Sequence, residues 1–181
     1  MLITTLKFHK LGSLISSPLI KVSLSQYKNT NSKNSFRMKY EVEVEINLPR
    51  DKVIELFDNP ENMKYWQPGL VSFEPISGSP GQVGAKSKLQ YKIGKRELEM
   101  VETITVNDLP LEFSGTYEAK GVWNHVQNFF IEKGNDKTIW KSVNEFKCSG
   151  FLRIMIFLMP DMFKKETSKY LANFKEFAES K

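Results

Sequence analysis

The sequence predicts an α+β fold in which a curved antiparallel sheet is wrapped around a long C-terminal helix. Residues 40–48 (YEVEVEINL) alternate apolar and acidic side chains, which is typical of a strand with one buried face. The same period of two recurs about six times between residues 70 and 148, whereas residues 150–181 change to helical spacing. A sheet with one apolar face needs that face covered, and the terminal helix can cover it.

Two short helices are predicted after the first strand. Pro49 suits the first helical position, and Asp51 lies in the first turn, near the positive end of the helix dipole. Asn59 can cap a second helix that opens with Pro60. The side chains that give the first helix an apolar side are Val53, Ile54 and Phe57.

Six further strands are predicted, separated by turn-forming residues. They cover residues 70–76, 85–93, 96–110, 111–119, 121–132 and 137–148. Gly94 and Lys95 make a connection short enough for a hairpin.

The C-terminal helix is predicted from apolar residues near helical spacing: Phe163, Tyr170, Phe174 and Phe177. Lysines lie between them, as on the solvated side of an amphipathic helix. Pro160 marks either the start of this helix or a kink within it.

The composition suits one soluble domain with a short extension. The 181 residues are 40% hydrophobic and 26% charged. A single cysteine, Cys148, excludes an intramolecular disulfide and a cysteine metal cluster, and it fits a reducing, cytoplasmic location. Only two histidines, His9 and His125, argue against a histidine-rich metal site. We therefore expect neither a metal nor a cofactor.

The positive charge of the chain lies in its first 37 residues. The net charge is +5, but residues 1–37 contain six basic and no acidic side chains, so the remainder carries −1. A nucleic-acid-binding domain concentrates positive charge on its folded body, so we expect no nucleic-acid partner.

Residues 1–37 are predicted to be a disordered basic extension, and residues 38–181 the domain. The extension has no sustained period, and lysines interrupt apolar runs that are too short to span a membrane. It is either an over-called start, with translation beginning at Met38, or a targeting or weak membrane-surface tail.

The order of elements and three phrases resemble the SRPBCC or START-like superfamily, most of all its small bacterial polyketide cyclase/dehydrase-like branch. The phrases are NPENMKYWQPGLVSFE, GTYEAKG and FLMPDMFKKETSKYLANFKEFAE, and the resemblance covers residues 38–181. It implies a helix-grip fold around a hydrophobic cavity. Members of the superfamily bind lipids, sterols, polyketides, quinones or plant hormones, and a minority change the bound ligand chemically. The cysteine and histidine pairs of the Rieske-containing branch are missing, which excludes that branch.

The inward face of the sheet follows from the parity of the strands, because alternate side chains share a face. One strand turns Leu98, Met100, Glu102, Ile104 and Val106 inward, and another turns Thr138, Trp140, Ser142, Asn144, Phe146 and Cys148 inward. The parity of residues 121–132 is ambiguous. We prefer the set Val122, Asn124, Val126, Asn128 and Phe130 to the set Trp123, His125, Gln127, Phe129 and Ile131, because it mixes valine with small polar residues as its neighbour does.

Five polar side chains recur on this inward face: Glu102, Asn124, Asn128, Ser142 and Asn144. A buried polar group without a partner costs about 1–3 kcal/mol, and a lone buried carboxylate costs more. A cavity that holds water or a ligand tolerates such groups, so they indicate an internal pocket. The alternative is that bulges shift the parity and turn some of them to solvent.

Aromatic residues complete the candidate site. Trp66 either gates the mouth of the pocket or is a packing anchor, and aromatic rings mostly serve packing. The predicted ligand-binding residues are Trp66, Tyr91, Met100, Glu102, Tyr117, Asn124, Asn128, Trp140, Ser142, Asn144, Phe163 and Phe174.

The main functional hypothesis is binding or carriage of a hydrophobic small molecule or lipid in the cavity. There is no G-x-S-x-G elbow and no phosphate loop. Glu102 is the best acid–base candidate, since burial would raise its pKa, and His125 is a partner only under the less favoured parity. A cyclase, dehydratase or hydrolase using Glu102 is therefore one alternative.

The other alternative is a membrane-peripheral quinone- or lipid-binding factor. The apolar run GFLRIMIFLMP either packs under the long helix or forms an exposed lip. In the second case residues 150–163 would make transient membrane contact, assisted by Arg153, Lys164 and Lys165. The oligomeric state stays open.

Overall fold

A computed structural model describes the backbone of residues 36–159 and 161–181, and for residues 36, 151 and 155–157 it describes the backbone only. The predictions for residues 1–35 lie outside these described residues. The first strand begins at Phe36, two residues before the predicted domain boundary at Met38. Arg37 is paired with the last strand and forms a salt bridge to Glu145 at 2.6 Å.

The described chain forms seven strands and four α-helices. The strands are β1 (Phe36–Ile46), β2 (Leu70–Ser77), β3 (Lys86–Ile93), β4 (Arg96–Asp108), β5 (Glu112–Ala119), β6 (Val122–Glu132) and β7 (Thr138–Cys148). The helices are α1 (Arg50–Phe57), α2 (Met63–Trp66), α3 (Phe151–Leu158) and α4 (Asp161–Glu179). A short 3₁₀ helix, Pro60–Asn62, lies between α1 and α2, and Asn59 caps it through a bond from the Glu61 N–H.

The seven strands form one antiparallel sheet in the order β1-β7-β6-β5-β4-β3-β2. The sheet curves around α4, so the predicted α+β class and helix-grip architecture are confirmed. The helical region after β7 is divided into α3, which ends at Leu158, and α4, which begins at Asp161. The prediction for Pro160 falls on a residue outside the described part of the chain.

The preferred parity of β6 is confirmed. Its inward set is buried, as is the inward set of β7. On the other face Trp123 stacks on His125 with ring centroids 6.0 Å apart, and Lys147 Nζ lies 3.9 Å from the centre of the Trp123 ring. A cation above an aromatic ring is favourable at a partly exposed site, so this contact stabilises Trp123 on the outer face.

The inward placement of Val106 was wrong. Leu98 to Ile104 alternate as predicted, but a register shift follows Ile104. Val106 lies opposite Ser114, whereas Ile104 lies opposite Gly115, so the extra residue moves Val106 to the outer face.

The long helix α4 is fixed to the sheet by both a polar and an aromatic contact. The Tyr40 hydroxyl on β1 lies 2.8 Å from Thr167 Oγ1 and 3.2 Å from the Phe163 carbonyl oxygen. Phe174 is fully buried and meets the edges or faces of rings from α1, α2 and β7. No helix within the described residues combines the length and apolar character that crossing a membrane requires.

Candidate functional site

A cavity of about 130 Å³ lies between the α1–α2 segment and strands β2–β5; we call it the outer cavity. Its lining residues are Phe57, Asp58, Pro60, Met63, Trp66, Gln67, Phe73, Pro75, Pro80, Gly81, Ala85, Ser87, Glu102, Ile104, Phe113 and Tyr117. Pro60, Pro75 and Pro80 are exposed, so the cavity reaches solvent on the side where these prolines lie. Proline fixes its backbone φ angle, which makes this rim stiff.

A smaller space of about 50 Å³, the inner cavity, lies deeper between the sheet and α4. It is lined by Phe57, Trp66, Gln67, Tyr91, Tyr117, Val126, Asn128, Trp140, Ser142, Tyr170 and Leu171. Phe57, Trp66, Gln67 and Tyr117 line both cavities and therefore form the partition between them. The Tyr91 hydroxyl donates a 2.5 Å hydrogen bond to Gln67 Oε1, which holds this partition from the sheet side.

Glu102 lies on the inward face of β4 in the wall of the outer cavity. Glu102 is 7% exposed, so its carboxyl faces inward and no bulge turns it to solvent. Tyr117 lies directly opposite on β5 and donates a 2.6 Å hydrogen bond to Glu102 Oε1. The result is one hydrogen-bonded acid in an otherwise largely apolar wall.

Burial raises the pKa of Glu102, and the hydrogen bond from Tyr117 opposes this shift without cancelling it. Burial also raises the pKa of Tyr117 well above its ordinary value, and the neighbouring Glu102 charge adds to that rise. Both groups therefore keep their protons to a higher pH than they would in water. A protonated carboxyl can donate a hydrogen bond or a proton to a ligand in the cavity.

Seven of the predicted ligand-binding residues line these cavities: Trp66, Tyr91, Glu102, Tyr117, Asn128, Trp140 and Ser142. Trp66 is both a cavity-lining residue and a packing residue of the core, because it also packs against Phe57, Trp140 and Phe174.

The other five predicted residues are buried but do not line either cavity: Met100, Asn124, Asn144, Phe163 and Phe174. Phe174 is enclosed by other rings, and Phe163 packs edge-on against Phe146 at 5.0 Å. Met100 lies opposite Leu89 in a filled part of the core. These residues are buried as expected, but none of them lines either cavity.

The α1–α2 segment supplies lining residues that the sequence did not identify. Phe57 was assigned to the apolar side of α1, yet it meets five other aromatic rings and lines both cavities. Gln67 was not identified at all. Because Trp66 was predicted to lie at the mouth of the pocket, its sequence neighbours could have been considered as lining residues as well.

A larger depression of about 360 Å³ lies at the β3–β4 hairpin, beside Lys92, Glu97 and Glu99. These three side chains are exposed and charged, so the depression has the character of ordinary surface. The smaller but apolar outer cavity is the better candidate site.

No three His, Cys, Asp or Glu side chains of the described residues come together in a way that could hold a metal ion. Burial raises the pKa of the Cys148 thiol to about 12, so this cysteine is a poor nucleophile.

We predict that Glu102 makes the protein less stable as pH rises. A carboxyl with a raised folded-state pKa stabilises the fold below its ordinary pKa, and this contribution is lost as pH rises through the raised value. Glu102→Gln keeps the acceptor for Tyr117 without a charge. The Tm of this variant relative to wild type should therefore increase from about pH 5 to about pH 8 in circular dichroism melts.

Glu99→Gln, on the same strand but exposed, is the matched control and should show no such trend. A Tm difference for Glu102→Gln that is independent of pH would contradict the raised pKa.

The chain is similar in structure to proteins of known structure. One is Ara h 8.0201, with a TM-score of 0.65 and 14% identity over 80% of this chain and 99% of that chain. Another is the Zhui aromatase/cyclase of Streptomyces sp. R1128, with a TM-score of 0.65 and 12% identity over 79% of this chain and 94% of that chain. A third is norcoclaurine synthase from Thalictrum flavum in complex with dopamine and hydroxybenzaldehyde. Its TM-score is 0.61, with 16% identity over 87% of this chain and 98% of that chain. At these identities the likeness shows the fold alone.

No curated protein sequence matches the chain significantly. The family model described as "Polyketide cyclase / dehydrase and lipid transport" matches residues 37–179, which is nearly the whole described domain. The chain therefore belongs to the polyketide cyclase/dehydrase and lipid transport family, within the SRPBCC superfamily.

Proposed function

We propose that this protein binds or carries a small hydrophobic molecule in the outer cavity. The observation that carries the proposal is a largely apolar cavity in which Glu102 and its partner Tyr117 supply a buried, hydrogen-bonded polar group. Ligand sites of this kind combine apolar walls for affinity with a few placed polar groups for orientation. A reducing, cytoplasmic location is part of the proposal and rests on the single cysteine of the chain.

The cavity volume narrows the class of ligand. An apolar cavity of about 150 Å³ accepts benzene. The outer cavity, at about 130 Å³, therefore suits a molecule built on one ring, while a long lipid chain would require the partition at Phe57 and Trp66 to move. Dopamine and hydroxybenzaldehyde, the molecules held by the structurally similar norcoclaurine synthase, each contain one ring, which supports this size class.

We predict that Ser87→Phe weakens binding of single-ring molecules. Ser87 lines the outer cavity opposite Glu102, so a phenyl group at this position would occupy the space that the ligand needs. In a thermal-shift screen of single-ring aromatic compounds, the wild-type Tm should rise with at least one compound, and the variant should lose that rise.

Ser72→Phe is the matched control, since Ser72 pairs with Gln90 on the outer face of the neighbouring strand. It should keep the ligand-induced rise. Equal responses of the two variants would contradict binding in the outer cavity.

Acid–base chemistry by Glu102 is a second candidate function, favoured by its hydrogen bond to Tyr117 beside the cavity. A dehydration would balance as follows. The Glu102 proton is given to a ligand hydroxyl, the C–O bond breaks and water leaves. The carboxylate then takes a proton from the adjacent carbon, which forms the double bond and regenerates the acid.

We predict that Glu102→Gln lowers any such dehydration at least about 100-fold, because an amide cannot supply the proton. Single-ring β-hydroxyketones are suitable substrates, and loss of water can be followed by mass. Glu99→Gln should leave turnover unchanged. Absence of turnover in wild type, or equal turnover in Glu102→Gln, would remove this candidate.

Membrane contact through residues 150–163 is a third element of the proposal. The exposed fractions of Ile154, Leu158 and Met159 are 55%, 68% and 46%, so these apolar side chains are not covered by the domain. Arg153 is exposed beside them, and Lys165 follows at the start of α4. Exposed apolar side chains flanked by basic ones suit an anionic lipid surface.

We predict that Ile154→Glu/Leu158→Glu abolishes flotation with vesicles of phosphatidylcholine and phosphatidylglycerol. Two carboxylates would place charge where apolar side chains meet the bilayer. Val71→Glu, at a position that is 64% exposed on β2, is the control and should float like wild type. Failure of the wild-type protein to float would contradict membrane contact.

A further inference from the structure

Three buried polar atoms on the inner face of the sheet have no hydrogen-bond partner among the described residues. They are Asn124 Oδ1, Asn124 Nδ2 and Asn144 Oδ1. Asn124 is 1% exposed and Asn144 is fully buried. Unpartnered buried amide atoms destabilise a fold, and a native protein that keeps a cluster of them calls for an explanation.

The two asparagines are neighbours at the end of the inner cavity. Asn144 lies opposite Val126 on β6, and Asn124 is the next inward residue of that strand. Val126 and Ser142 line the inner cavity, so each asparagine is one inward position beyond a lining residue of its own strand. Tyr117, which lies opposite Asn124, lines both cavities.

Asn128 shows that the same surface can satisfy an asparagine completely. Its Nδ2 donates to the Phe113 carbonyl oxygen at 3.1 Å, and its Oδ1 accepts from Trp140 Nε1 at 3.0 Å. Asn144 is only half satisfied, through a 3.0 Å hydrogen bond from Nδ2 to Ser142 Oγ. Leucine or valine at positions 124 and 144 would avoid the unpartnered atoms, so packing alone gives no reason for asparagine there.

We propose that Asn124 and Asn144 form a polar subsite that binds a hydroxyl group of the ligand. This inference rests on the proposed function, because the ring of the same ligand would occupy the outer cavity, whose wall residue Tyr117 lies opposite Asn124. Asn124 offers one acceptor and one donor, and Asn144 offers a further acceptor. A hydroxyl both donates and accepts, whereas a carbonyl oxygen only accepts and an ammonium only donates. The ligand class is therefore a single-ring phenol or alcohol.

Access to the subsite requires a small rearrangement. The three amide atoms are enclosed by their neighbours, so a ligand hydroxyl reaches them only when a side chain beside the inner cavity rotates. The inner cavity offers about 50 Å³ into which such a side chain can move. Hydrogen bonds gained by the enclosed amides favour this rearrangement in the presence of the ligand.

The test compares 4-methylphenol with toluene, which share a ring and a methyl group and differ by one hydroxyl. We expect wild-type protein to bind 4-methylphenol at least about fivefold more tightly in calorimetric titrations. Asn124→Leu and Asn144→Leu should each reduce this preference while retaining toluene binding. Both variants should also raise the Tm of the free protein by a few degrees, since each removes an unpartnered group.

Asn128→Leu is the matched control, with the same substitution on the same face of β6. It should lower the Tm, because it removes the partner of Trp140 Nε1 and of the Phe113 carbonyl. Tm losses at positions 124 and 144 like that of Asn128→Leu would show a structural role and overturn the subsite.

Equal affinity of wild type for the two probes, or a preference for 4-methylphenol that survives both substitutions, would overturn the subsite and leave the proposed function intact. Failure of wild type to bind either probe would overturn both. The comparison of 4-methylphenol with toluene on the wild-type protein tests the subsite whether or not the variants fold.

Discussion

An aromatic cluster joins the helices to the inner face of the sheet, and the rest of the domain is arranged around it. Phe57 from α1 lies 5.4 Å from Trp140 on β7 and 4.9 Å from Phe130 on β6, between ring centroids, and Phe174 from α4 meets Trp140 at 5.1 Å. Rings of this size bury large apolar areas in fixed edge-to-face geometry. They fill the centre and leave space at its sides. Phe57 and Trp140 therefore serve stability and the cavity walls together.

The polar groups of the inner face divide according to their distance from this cluster along the strands. Asn128, beside Trp140, is fully hydrogen-bonded and belongs to the structural core. Glu102 accepts a hydrogen bond from Tyr117, and its pKa is raised because it is buried. Asn124 and Asn144 are without full hydrogen bonding. The sheet thus carries polar groups that cost stability one inward position beyond the residues that line the inner cavity, a pattern expected where function opposes stability.

Much of the fold followed from period and parity. Alternation predicted every inward residue of β7, because an unbroken strand turns alternate side chains to one face. For β6 alternation left two sets open, and the mixture of valine with small polar residues selected the set that is buried. Glu102 was placed inward by the same rule of alternation. The rule failed at Val106, where a bulge that leaves no clear mark in the sequence inserts one residue.

The site itself was predictable only in part. The period of a strand or a helix tells which face a side chain occupies, but not what covers it, so Phe163 and Phe174 on the helix could not be distinguished from the cavity-lining Tyr91 and Trp140. The covering residues Phe57 and Gln67 lie far away along the chain, in a segment whose path depends on tertiary packing. Asn128 is hydrogen-bonded whereas Asn124 is not. This difference depends on neighbouring residues that are distant in sequence, so it could not be predicted from the sequence.

The central claim is that the space beside Glu102 holds a small ring-containing molecule. Native mass spectrometry of the protein purified from its own host tests it most directly. Binding in this cavity should give a mass excess that disappears on denaturation and corresponds to one single-ring compound, and the excess should be absent from Ser87→Phe prepared in the same way. Recovery of only the bare protein mass, or an equal excess in Ser87→Phe, would contradict it.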